Sequence, residues 1–162
     1  MDETLFIPSE VFDYEAQTSV WGDTVSIGVD CDGSTLTAMI PRINSLLEFL
    51  QNNKDKIVKA LVEDDFLSLA EDWASSAEEA EDSTEERECY IMEDGTRVYL
   101  PITEEDFADS LHFDSLSVYF DDEKGDISAD VFLVCVPDYF AYHCIEIFVE
   151  GDHTIKVNGL AG

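Results

Sequence analysis

The 162-residue chain is the length of one ordinary domain, enough to bury roughly two-thirds of the surface its unfolded form would expose. Apolar residues make up 45% of it and aromatics 11%, which describes a protein with a core and excludes a disordered acidic tail. Its 38 Asp and Glu against 8 Lys and Arg give a formal net charge of -30, which excludes the basic stripe of a nucleic-acid binder, repels anionic lipid and favours a basic protein as partner.

The opening Met1-Asp2-Glu3-Thr4 has no basic region, and no apolar run approaches the roughly 20 residues that span a bilayer, so a cytoplasmic protein without a membrane partner is expected. An N-terminal hairpin is predicted over residues 11–30. Its second strand alternates with Val25, Ile27 and Val29 on one face, and Trp21-Gly22-Asp23 forms the connection. After the turn Asp32-Gly33-Ser34 the period changes. Leu46, Leu47 and Leu50, then Ile57, Val58, Leu61 and Val62, then Phe66, Leu69, Ala70 and Trp73 recur at helical steps. With Asn52-Asn53 as a break, this helical region of 43–75 reads as two helices, 43–51 and 54–75. Residues 76–88 are too charged to order themselves by burial and are expected to form a loop or frayed helical extension.

A C-terminal sheet region is predicted over 89–162. Asp94-Gly95 marks a turn between two short strands, and Thr103 caps a short helix whose first turn is acidic. Leu116, Val118 and Phe120 then alternate, residues 127–136 form a run apolar enough for a strand buried on both faces, and Ile145, Ile147 and Val149 alternate again. The expected fold is a single α+β domain, a mainly antiparallel sheet with two to three packed helices and a further N-terminal hairpin.

No cofactor or catalytic motif emerges. Cys31, Cys89, Cys135 and Cys144 form no C-x-x-C pair, and the last two read as small core hydrophobes. Counted from Asp30, positions six and twelve of a calcium loop would be Thr35 and Pro41; counted from Asp121 they would be Asp126 and Phe132. Neither set supplies the required glycine and glutamate, so both stretches read as turns. His112, His143 and His153 are scattered, and His143 and Cys144, adjacent in a strand, point to opposite faces. Phosphate-binding glycine loops are absent. The candidate partner contacts are the aromatics after Pro137-Asp138, namely Tyr139, Phe140, Tyr142 and His143, set against the alternative that Phe140 and Tyr142 close the core.

Several segments resemble a bacterial family of uncharacterised domains. They are Pro101-Ile102-Thr103-Glu104-Glu105-Asp106-Phe107, the strand at Leu116 to Phe120, His143-Cys144-Ile145-Glu146-Ile147, and the closing Asn158-Gly159-Leu160-Ala161-Gly162, with Trp21 and Trp73 in the first half. The resemblance covers nearly the whole chain and implies the same hairpin, helical middle and C-terminal sheet in a bacterial cytoplasmic protein, without an activity or a site. The chain departs from the family pattern at Tyr142, where the family has glycine.

The function expected from these features is non-catalytic binding, of the immunity or inhibitor type, to a basic protein. A small enzyme with an unrecognised pocket and an acidic scaffold or regulatory domain are the alternatives. Self-repulsion at this net charge opposes compactness and is screened within about 10 Å at 0.1 M salt. Thermal unfolding should therefore shift upward between low-salt buffer and added sodium chloride; an unchanged midpoint would show that the carboxylates do not repel one another in the folded state.

Overall fold

The computed structural model describes residues 1–162. A 3-10 turn over Glu3–Leu5, capped by the Asp2 carboxylate, leads to β1 (Ile7–Pro8), β2 (Tyr14–Val20) and β3 (Asp23–Asp30). The two residues joining β2 to β3, Trp21 and Gly22, are both left-handed (φ 55° and 88°), the turn whose twist matches that of paired strands. Tryptophan holds this unfavourable conformation because the rest of the molecule grips it. Its N–H donates to Gln51 Oε1 at 2.9 Å, its indole Nε1 donates to the Leu50 carbonyl at 2.8 Å, and the Lys54 ammonium lies 5.0 Å from its ring.

Three helices follow: α1 (Leu36–Asn52), α2 (Lys54–Glu63) and α3 (Phe66–Ser75). The first begins earlier than position 43, because Thr35 caps it and Leu36 and Met39 are buried. Pro41 obscures this start in the sequence; it removes one helical hydrogen bond, and burial of the helix face outweighs that loss. The predicted helix over 54–75 is two helices. Asp65 is left-handed (φ 62°), and the buried positions step Ile57, Leu61, Phe66, Ala70, Ala74, with one five-residue interval at the break.

The acidic segment is more ordered than its charge predicts. It contains β4 (Glu78–Glu79), which pairs with β5 (Cys89–Ile91), itself paired with β6 (Arg97–Tyr99). Ala80 is buried, and Arg97 Nη1 donates to both oxygens of Asp82 at 2.7 and 2.9 Å, so one apolar anchor and one charge-assisted contact fix the segment. Helix α4 (Glu104–Ser110) has the capping box Thr103/Asp106 and brings the helix count to four, against the two to three expected.

The remainder is a meander of β7 (Leu111–Asp121), β8 (Asp126–Cys135), β9 (Cys144–Val149) and β10 (Ile155–Ala161). The N-terminal hairpin is not a separate layer. The seven strands run in the order β1-β2-β3-β7-β8-β9-β10, antiparallel except for the parallel pair β3 and β7. Nor is β8 buried on both faces: Ile127, Ala129, Val131, Leu133 and Cys135 face the core and the residues between them are half-buried. Helices α1 and α4 pack on β8, and α2 on β10. No helix is long and apolar enough to cross a membrane.

Asp23 fastens the parallel seam. Its carboxylate accepts from the Phe113 N–H at 2.8 Å and from His112 Nδ1 at 3.0 Å. Burial alone would raise its pKa, yet these hydrogen bonds and the nearby His112 and Lys54 charges outweigh that and hold the carboxyl below the usual range. A lowered folded pKa stabilises fully above the unfolded aspartate value of about 4, and the gain is lost as pH falls through the folded value. Asp23→Asn should cost about 1–2 kcal/mol at neutral pH, measured by urea denaturation, with the difference from the parent shrinking as the medium is acidified below about pH 4.

Candidate binding surface

The loop joining β8 to β9 holds the aromatic residues singled out in the sequence, and Asp138 shapes it. Its Oδ1 accepts from the Phe140 N–H at 3.2 Å and its Oδ2 from the Tyr142 N–H at 2.8 Å, while its own N–H donates to Asp94 Oδ2 at 3.2 Å. Tyr139 and Phe140 turn inward, at 4% and 0% exposure, so neither offers its side chain to a partner. Tyr139 stacks near Phe107, with burial pushing its phenol up to about 12, and Phe140 meets Phe66 and Trp73 edge-on at 5.9 and 6.0 Å.

His143 is half-buried and structural in its contacts. Nδ1 lies 2.8 Å from the Phe140 carbonyl and 3.2 Å from that of Ala141, an environment of acceptors that places the proton on Nδ1. The ring meets Trp73 edge-on, and Gly162 lies against it so closely that a Cβ there would sit 2.6 Å from His143 Cδ2. Of these four residues only Tyr142, 72% exposed, projects from the loop. Ala141 and Tyr142 are both left-handed (φ 48° and 67°), a conformation that favours glycine and costs an L-residue about 1–2 kcal/mol.

A second surface is built by strand register. On the sheet face away from α1 and α4, one row runs Gln17, Ser26, Ser115, Phe132, Glu146, and the next runs Glu15, Gly28, Ser117, Asp130, Phe148, Lys156. A third, shorter row is Asp30, Tyr119, Ser128. The aromatic side chains are half-exposed. Burial raises the Asp130 pKa and the Glu146 charge adds to it, against a hydrogen bond with Tyr119 that acts the other way. The Tyr119 phenol is raised in turn, by burial first and then by the Asp130 charge. Carboxylates and rings therefore share one partly desolvated face, where an incoming cation would meet both charge and π-surface.

The residues of the face escaped the sequence reading because they are the polar and half-buried positions between core residues; the one available signal was Asp130 and Glu146 inside otherwise apolar strands. Cys135 is buried, with its thiol pushed up to about 12 by burial, whereas Cys144 sits half-buried at the start of β9 rather than in the core. All four cysteines are free. The two turns weighed as calcium loops use their polar groups on backbone: Asp121 Oδ1 accepts from Glu123 and Lys124 N–H groups, and the Cys31 carbonyl accepts from the Ser34 N–H.

These features define a class: an α+β protein whose mixed seven-stranded sheet is helix-covered on one face and acidic and aromatic on the other. The chain belongs to DUF2262, a family described as an uncharacterized protein conserved in bacteria, whose model matches residues 4–160. No curated protein and no solved structure matches it.

The left-handed backbone at Tyr142 gives a direct expectation. Tyr142→Gly should stabilise the fold by about 1 kcal/mol, while Tyr142→Ala, which keeps the Cβ, should not. Equal thermal midpoints for both variants would place the cost elsewhere than in the backbone.

Proposed function

We propose that this protein is a non-catalytic binding protein of the immunity or inhibitor type, working in the bacterial cytoplasm, which captures a basic protein through the uncovered face of its sheet. The observation that carries this reading is the make-up of that face. Glu15, Asp30, Asp130 and Glu146 lie among the rings of Tyr119, Phe132 and Phe148, and Lys156, on the outermost strand, is the only Lys or Arg in the three rows. Supporting it is the net charge of -30, which steers a cationic partner toward the molecule at rates up to about 10⁸–10⁹ M⁻¹s⁻¹ at low salt. Long-range charge would govern arrival and the half-exposed aromatics would govern residence, since rings at the centre of an interface contribute most of its affinity.

The division of labour is testable by calorimetry and stopped-flow with the purified basic products of neighbouring genes. Glu146→Gln combined with Asp130→Asn should slow association and flatten the salt dependence. Phe132→Ala combined with Phe148→Ala should instead speed dissociation, each by about tenfold or more. A complex indifferent to salt, or to both pairs of changes, would reject the reading.

A further inference from the structure

The β2 edge of the sheet is unfinished. The two-residue turn makes Val20 and Asp23 a hydrogen-bonded closing pair, so the backbone groups of Tyr14, Ala16, Thr18 and Val20 point toward β3, and those of Asp13, Glu15, Gln17 and Ser19 point away from it. Strand β1 satisfies only the first part of this outer edge. Ile7 pairs with Glu15, and the Ser9 N–H donates to the Asp13 carbonyl at 3.4 Å. On the other side of Ile7 the chain leaves the sheet, with Phe6 buried in the core and a 3-10 turn before it. Gln17 and Ser19, both exposed, are left with N–H and C=O groups facing outward beyond the end of β1. Residues 16–20 carry none of the charges or prolines with which proteins guard an idle edge.

A cleft of about 530 Å³ opens at this same gap, between Leu5 and Ile7 on one side and Ala16, Gln17 and Gly28 on the other. The Phe12 ring lies over Gly28 so closely that a Cβ at that position would run into it. Leu5, Ile7 and Val11 are three of the six exposed large apolar side chains of the molecule. Glu15 is the one charged residue lining the cleft, and the N-terminal segment that borders it is acidic: no Lys or Arg precedes Arg42, while Asp2, Glu3, Glu10, Asp13 and Glu15 all fall within the first fifteen residues.

The geometry points to the β2 edge as a docking site for an extended segment of a protein partner in which apolar and basic side chains alternate. Its backbone pairs with Gln17 and Ser19, its apolar side chains enter the cleft, and its Lys or Arg side chains meet Glu15 and the acidic N-terminal segment. Strand addition of this kind takes affinity from main-chain hydrogen bonds and specificity from pockets for alternate side chains. The inference rests on the basic-partner reading and adds the place and the chemistry of the anchoring segment.

The test uses the full chain, labelled with ¹⁵N, at low salt, with two peptide probes of equal charge: Lys-Leu-Lys-Phe-Lys-Val-Lys and Lys-Ser-Lys-Ser-Lys-Ser-Lys. The apolar probe should bind at least about tenfold tighter than the serine probe, with the largest amide shifts at Ile7, Gln17 and Ser19. Gln17→Pro removes the outward donor without touching the ladder to β3, and Ile7→Ser removes an exposed side chain from the cleft rim. Each should abolish the tenfold preference and leave the serine probe's affinity unchanged. Equal binding of both probes, or shifts centred elsewhere such as the Tyr142 loop, would overturn the docking site while leaving the basic-partner reading intact. Failure of both probes to bind would overturn both.

Discussion

The architecture depends on the parallel pairing of β3 with β7. An antiparallel neighbour can be reached by a tight turn, but a parallel one requires the chain to travel back along the sheet before starting again. Here that return journey is residues 31–110, and it contains every α-helix and the small sheet of β4, β5 and β6. A single crossover runs along one side of a sheet, so the helical layer is concentrated there. The other strand connections in the large sheet join antiparallel neighbours and carry no helix to the opposite face. The uncovered face with its acids and rings is thus a consequence of connectivity as much as of composition.

The seam itself joins segments some ninety positions apart, and its chemistry is concentrated at one end. Asp23 binds the start of β7 through Phe113 and His112, Lys54 donates to the Leu111 carbonyl at 3.0 Å, and Trp21 ties the hairpin turn to the end of α1. The hairpin, the junction of α1 with α2 and the first residues of the meander therefore meet in one small polar knot at the margin of the apolar core. In so acidic a protein this knot gathers a lysine and a histidine around one half-buried carboxylate, an arrangement that the unfolded chain cannot reproduce.

Local patterns in the sequence carried most of the elements. The alternation of Val25, Ile27 and Val29, the capping threonine at 103 and the Asp94-Gly95 turn each reflect a constraint within a few residues, and each stands in the structure as expected. The misreadings arose where a distant contact overrode the local signal. Pro41 is tolerated inside α1 because the helix has a buried face, and the acidic 76–88 segment is fastened by Arg97, fifteen positions beyond Asp82. The hairpin's union with the C-terminal strands left no mark in either segment, since parallel register is decided by the packing of both. The aromatic loop was visible, but which rings faced outward was not, because Asp138 sets the turn that buries Tyr139 and Phe140 and exposes Tyr142. The open face, spread over strands remote in sequence, could be assembled only once their registers were known.

The long crossover also bears on the order of assembly. The β2–β3 hairpin and the β7-to-β10 meander are each built from near-neighbour contacts that close quickly, whereas joining them requires the two ends of an eighty-residue connection to meet, an entropic cost that grows with loop length and slows folding. Until that meeting occurs, the meander presents the flank of β7 as a free edge and the hairpin presents the flank of β3. The same parallel match can be made between hairpin and meander of two different molecules, so strand exchange is the competing product built into this topology, with mutual repulsion between highly charged chains acting against it.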